Sequence, residues 1–432
     1  MMGRIMGSLA FKLASMGLTF LVTMVLARNL TTDQFGLYSL VLSIVMVSAV
    51  IAGFGLPSLV VREFAGLSAT VGAKVRSFRG FAVMSMAAMT VLVALVLYLA
   101  IVIFQAFSSE LATFFGWIVA LIVLMTLLNY LCAELRGFNF LYASQTPNLL
   151  ARPLLMLLLV LAALGLGRLD GARTALSLYG LAALLALVLG LILLVVHRRD
   201  TGKADHDLPA DRHRIWTRTA VPLMLSGGIV VVNQNIDIVF LGALSDQSEI
   251  AVYKVCAQVS GLLSVSLNVV ALVANRQFAR LHQKGDAVGL ERLARRATLF
   301  CLLLTVPLFL VCLAFGAELL DLAFGSEYAA GAPILAVLAA AQALNASFGI
   351  VGAMLNMTGH ERATLTGVFV AASVNAGLNL TLIPVMGAMG AAIALLVSTF
   401  VWNMMLYLTV CRRLRIQSMP YLPRRQRGGP ST

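Results

Sequence analysis

Charge is scarce in this chain. Asp, Glu, Lys and Arg make up 11% of its 432 residues and hydrophobic types 60%, whereas an ordinary soluble domain carries about 25% charged residues. That balance excludes a water-soluble fold. Acids are scarcer than bases, 18 against 31, for a net charge of +13. In a soluble chain such a surplus would point to nucleic acid; in a membrane chain its distribution between loops matters instead. The five cysteines (Cys132, Cys256, Cys301, Cys312, Cys411) are odd in number and form no CxxC pair, which excludes a disulfide framework and a zinc site. The spacing of His197, His206 and His213 fits no metal-ligand pattern. No phosphate-binding glycine loop and no nucleophile–base constellation is present, so ATP hydrolysis and covalent catalysis within this chain are disfavoured. A signal peptide is also disfavoured: Arg4 and Lys12 precede an apolar stretch, but no small-x-small cleavage site comes before Arg28, and further apolar segments follow.

What the chain has is long apolar runs. Those from Met89 to Phe104, Leu154 to Leu166 and Leu181 to Val196 are apolar on every helical face, and 35 glycines allow close helix approach. Stretches of about 20 residues, the length that spans a bilayer, place helices near 7–28, 36–56, 81–104, 111–132, 146–166 and 174–196. A second set lies near 218–242, 250–274, 297–316, 331–355, 363–384 and 389–410. Pro153 interrupts one of these segments, and Pro222 with Asn233, Gln234 and Asp237 another. The predicted fold is an all-α membrane protein of twelve spans.

The connections on one side carry most of the cations, including Arg62, Arg76, Arg79, Arg136, Arg198, Arg212, Arg276, Arg292 and Arg362, together with both termini. The other side has Arg28, Arg168 and Arg173. The positive-inside rule assigns the basic side to the cytoplasm. The tail with Arg412, Arg413, Arg424, Arg425 and Arg427 reads as an anchor to anionic headgroups.

The chain repeats itself. Leu30, Asp33, Gln34 and Tyr38 after the first span answer Leu244, Asp246, Gln247 and Tyr253 after the seventh. Arg62, Phe64 and Ala65 answer Arg276, Phe278 and Ala279, and Gly137 answers Gly359 more weakly. Six spans separate the pairs, so the halves enter the membrane in the same direction, as in transporters built from parallel repeats. The expected lobes are 1–200 and 218–411, with a linker at 201–217 and a tail at 412–432.

Ala27, Arg28, Leu30, Phe35, Gly36 and Tyr38, then Gly55, Pro57, Arg62 and Glu63, and Gln234 with Asp237, resemble the polysaccharide-export flippases of the Wzx type. These belong to the superfamily that also holds the multidrug extrusion transporters and the lipid II flippases. The resemblance runs through the whole chain. It implies a bacterial inner-membrane protein, multi-pass with both termini cytoplasmic, and two six-helix lobes around a central cavity. Such a protein would carry undecaprenyl-diphosphate-linked oligosaccharide outward by alternating access, for surface polysaccharide. It implies membrane lipids, a polysaccharide polymerase and chain-length machinery as partners, and no nucleic acid. Lipid II flippases carry two further C-terminal helices, which disfavours that branch here.

A diphosphate and sugar hydroxyls crossing about 30 Å of hydrocarbon need cations and amides inside the protein. The candidates are Lys12, Arg152 and Lys254, with Asn233, Gln258, Asn375 and Asn379 for hydrogen bonding. Arg28, Arg62 and Arg276 read as anchors at helix ends. Asp237 is the one acid well inside a span and is the candidate for coupling to an ion, H+ or Na+, the one cofactor expected. Glu134 is expected to pair with Arg136 or a nearby loop. Two alternatives remain open. One is an ion-coupled multidrug or metabolite antiporter of the same fold. The other is a membrane polysaccharide polymerase or ligase, disfavoured because the longest outward connection, roughly Gly316 to Ala330, is short.

Overall fold

The structure is a computed structural model. It describes residues 2–65, 73–103, 107, 109–197, 212–414 and 416–419, and among these the regular elements are helices, with no strand. The expected linker lies mostly outside the described residues, as do His206 and the tail beyond residue 419. Packing divides the chain into two units, 1–251 and 252–432.

Unit 1 holds α1 (Met2–Asn29), α2 (Thr32–Ala52), the short α3 (Leu56–Phe64), α4 (Ala73–Tyr98) with a π-helical end, and α5 (Ser109–Ala112). It continues with α6 (Phe115–Gly137), α7 (Leu141–Gln145), a π-helical turn at Thr146–Ala151, α8 (Arg152–Gly165), α9 (Ala172–His197) and α10 (Arg212–Leu244). The spanning parts of α2 and α6 are 72% and 67% buried, against 22%, 17% and 22% for those of α1, α4 and the α7–α8 segment, so α2 and α6 form the inside of the unit. The outer helices present bare apolar side chains: Val91 on α4 is 69% exposed and Val196 on α9 is 70%. A surface of that kind suits lipid and not water.

Two glycines explain how α2 and α3 sit. Gly55 adopts φ +67°, and a Cβ there would lie 2.3 Å from the Ala220 carbonyl oxygen of α10; only glycine satisfies both the turn and the crossing. Gly36 meets the Gln247 carbonyl so closely that a Cβ would lie 1.9 Å from its oxygen. Thr31 caps α2, and the Gln34 side chain accepts the Ala172 N–H at 2.8 Å, satisfying an otherwise orphan donor at the start of α9. The motif from Leu30 to Tyr38 is thus a joint between helices.

One end of unit 1 is an apolar core of Leu59 and Phe64 from α3, Phe78 and Phe81 from α4, Leu135 from α6, and Trp216 from α10. Glu134 is buried within it and pairs with Arg79 of α4, whose Nε donates at 2.8 Å. The expected partner Arg136 is displaced because α4 packs on α6 at this level and brings the longer-range guanidinium to the carboxylate.

Unit 2 holds most of α11 (Gln247–Leu263), then α12 (Val265–Gln283), α13 (Ala287–Ala314), α14 (Gly316–Phe324), a 3-10 turn at Ser326–Gly331, α15 (Ala332–Phe348), α16 (Val351–Met357) and α17 (Glu361–Thr409). The connection expected at Gly316 to Ala330 is therefore mostly helical. The helix expected at 331–355 is broken at Gly349, φ +72°, into α15 and α16. Phe278 is fully buried here, as its counterpart Phe64 is in unit 1.

The last two expected spans run together as α17, which turns at Gly387 (φ 53°, ψ −132°). A straight helix would hold residues 382 and 390 about 12 Å apart. Instead a Cβ on Gly390 would lie 2.5 Å from the Leu382 carbonyl oxygen, so the helix doubles back on itself. Eleven helices among the described residues are long and apolar enough to cross a membrane, and the bend in the eleventh makes twelve crossings. After α17, Ile416, Ser418 and Met419 are buried against the unit, and Arg295 of α13 donates to both the carbonyl and the side chain of Gln417.

Candidate functional site

In a membrane span, a charge without its counter-charge identifies itself by cost. Arg152 is such a residue. It is half-buried at the first turn of α8, directly after the π-helical turn. Its Nη1 donates to the Tyr179 hydroxyl of α9 at 2.9 Å and approaches the Met125 sulfur of α6 at 3.5 Å, while its guanidinium carbon stands 5.6 Å from the centre of the Tyr179 ring. Tyr38 of α2 is buried within electrostatic reach of both. Among the described residues no carboxylate lies within ion-pair distance of Arg152. One nitrogen of the guanidinium is engaged with neutral groups, and the rest of its five-donor fork has no partner among the described residues. Tyr179 fixes the fork's orientation, so a planar, bidentate donor is held ready for an anion.

The π-helical turn has a cause in the sequence. Pro147 and Pro153 both lack an N–H, and the ring of Pro153 would press on the carbonyl of residue 149 in a regular helix. Widening the turn relieves that and re-aims the side chains on either side of it.

The other candidates fall into two groups. In unit 1, Lys12 is exposed on α1, Asn233 is half-buried on α10, and Asp237, one turn further, is 5% exposed. In unit 2, Lys254 and Gln258 are half-buried four residues apart on α11, with Tyr253 and Val255 buried on either side of Lys254. Asn375 and Asn379 are buried on α17, and Asn379 donates to Asn375 at 2.9 Å. A second amide pair, Asn403 to Asn345 at 3.0 Å, ties α17 to α15. The structure therefore joins Arg152 to its aromatic partner and Asn375 to Asn379.

Tyr179 and Met125 escaped sequence reasoning because an aromatic or Met in an apolar run looks like any other lipid or core residue, while Tyr38 stood out as a repeat residue and not as a neighbour of Arg152. A further polar group escaped it as well. Gln145 donates to Ser8 of α1 at 2.9 Å, and Asn148 donates to Asn129 of α6 at 3.0 Å. Polar letters flanking Pro147 are the signal that could have found it. Among the described residues no cluster of His, Cys, Asp and Glu is arranged to hold a metal ion.

Residues 5–275 match the family model described as "Polysaccharide biosynthesis protein". Over 158 residues the chain is 25% identical to the probable low-salt glycan biosynthesis flippase Agl15 of Haloferax volcanii. The alignment covers 37% of this chain and 34% of that relative's length. Among solved structures, the inward-facing conformation of a multidrug resistance MATE family transporter of the MOP superfamily superposes with a TM-score of 0.68 at 14% identity, over 93% and 94% of the two chains. A MOP superfamily transporter from Pyrococcus furiosus, described as having a binding pocket of reversed polarity, superposes at 0.57 and 17% identity over 95% of each. At these identities the solved structures show the fold alone.

Proposed function

Because the chain belongs to the polysaccharide biosynthesis protein family, a family of membrane transporters and not of enzymes, we propose that it flips undecaprenyl-diphosphate-linked oligosaccharide from the cytoplasmic to the periplasmic leaflet of a bacterial inner membrane. The observation that carries this reading is Arg152: a guanidinium inside a span, oriented by Tyr179 and lacking a carboxylate partner among the described residues, is suited to a diphosphate. The surplus of cations over acids elsewhere in the spans supports an anionic substrate over a cationic drug. In this reading the basic loops and both termini are cytoplasmic, movement is by alternating access, and a proton or sodium gradient supplies the energy through Asp237. Asn233 in unit 1, and Lys254, Gln258, Asn375 and Asn379 in unit 2, are further donors for the substrate. A polymerase and its chain-length machinery take the product.

In cells that depend on this protein for export, Arg152→Gln is expected to lower surface polysaccharide by at least about tenfold, equivalent to roughly 1.4 kcal/mol of lost stabilisation. Undecaprenyl-linked repeat units should accumulate on the cytoplasmic face at unchanged protein abundance. Arg152→Lys should retain part of the activity, since it keeps the charge and loses the fork. Full export by Arg152→Gln would refute the reading.

A further inference from the structure

Beside Arg152 lies a polar group with unmet demand. The Oε1 of Gln145 and the Oδ1 of Asn148 are shut off from solvent and accept no hydrogen bond from the described residues, although each amide's nitrogen is engaged, with Ser8 and Asn129 respectively. Gln145 is only 9% exposed. A buried carbonyl oxygen left without a donor costs about 1–3 kcal/mol, and here two occur three residues apart, one at the end of α7 and one inside the π-helical turn, a distortion frequent at functional sites. Next to them, the Tyr142 ring is 43% exposed and stands 6.0 Å from Phe11 of α1, centre to centre. All of these residues belong to unit 1.

Two neutral acceptors require donors, and an exposed aromatic ring offers an apolar face. A sugar presents both complements, hydroxyl donors at its edge and C–H groups on its face. A metal cation would be a poor occupant, because the Arg152 guanidinium follows Asn148 by one turn and Glu134, the buried acid of α6, is committed to Arg79. One helical turn rises about 5.4 Å, so Asn148 stands about one turn and Gln145 about two turns before Arg152, and a diphosphate at Arg152 would bring its first sugar against Asn148 and toward Gln145. We propose that Gln145, Asn148 and Tyr142, with Ser8 and Phe11 of α1, form a subsite for the diphosphate-proximal sugar of the substrate, closed in this structure and opened in the course of alternating access. The proposal rests on the flippase reading and names the part of the substrate that this end of unit 1 recognises.

The test compares two probes on the full-length protein in nanodiscs: a short-chain prenyl diphosphate, and the same molecule carrying one N-acetylhexosamine. The sugar is expected to tighten binding by about tenfold, the effect of one or two added hydrogen bonds. Gln145→Met, Asn148→Leu and Tyr142→Leu should each abolish most of that gain while binding the bare diphosphate as the unaltered protein does. Tyr142 is exposed, so its variant tests the subsite even where a buried substitution prevents folding. A sugar gain that persists in all three variants would overturn the subsite and leave the flippase reading standing. So would loss of a sodium-dependent thermal stabilisation in place of the sugar gain, which would identify the group as a cation site. Failure of the unaltered protein to bind either probe would remove the flippase reading, and the subsite with it.

Discussion

Glu134 shows what one buried acid does for this protein. It is 2% exposed, between the core residues Ala133 and Leu135, and its Oε1 takes the Arg79 fork. Removing one member of such a buried pair strands the other, at a cost of about 3 kcal/mol. Glu134→Ala is therefore expected to lower the thermal unfolding midpoint in detergent markedly. Glu134→Gln should lower it less, because its amide oxygen still accepts from Arg79. Equal, small effects from both would mean that the pair contributes nothing to this end of unit 1. The carboxylate itself is visible in the sequence, but its partner is not. Arg79 is 55 positions away, and only the packing of α4 on α6 selects it over Arg136, two residues off.

Among the elements, α17 carries the sharpest steric requirement. Gly390 faces three backbone atoms of Leu382 and Ile383 within 2.9 Å of where a Cβ would stand, and backbone cannot rotate away as a side chain can. Gly390→Ala is expected to destabilise the protein by about 1–3 kcal/mol, read as a lower unfolding midpoint. Gly377→Ala, in the same helix with open space around it, should be neutral or slightly stabilising. Indistinguishable midpoints would show that the hairpin relaxes freely. This element also marks where reading from sequence ends. Pro384 and the glycines after it indicate an interruption between two apolar runs, and nothing in that pattern separates a loop from a helix that folds back. The π-helical turn before α8 is a similar case: Pro147 and Pro153 mark the disturbance, while the orphaned oxygens of Gln145 and Asn148 depend on where Ser8 and Asn129 stand.

At the scale of the whole molecule, legibility was greatest, because lipid imposes one rule on every span: about 20 apolar residues with backbone groups satisfied within the helix. The runs that obey it coincide with the helices long and apolar enough to cross a membrane, within a few residues at most ends. The same simplicity leaves the site half legible: Arg152 stands out in the sequence as a cation within a span, on a par with Lys12 and Lys254, and the Tyr179 contact that sets it apart is visible only in the structure. Twelve crossings are an even number, so the termini share a side; reporter fusions near residues 205 and 432 are expected to give the same, cytoplasmic signal, and opposite signals would break the crossing count. One further consequence follows from the doubled-back helix at Gly387. With no loop between the last two crossings, an antibody or protease reaching that turn would meet Val385, 82% exposed, and Met386 beside Gly387, whose backbone leaves the helix. That corner leaves a window one residue wide for a tag: an epitope inserted at Gly387 keeps the helices on both sides whole, whereas one inserted a turn to either side would have to break a helix before it could be displayed.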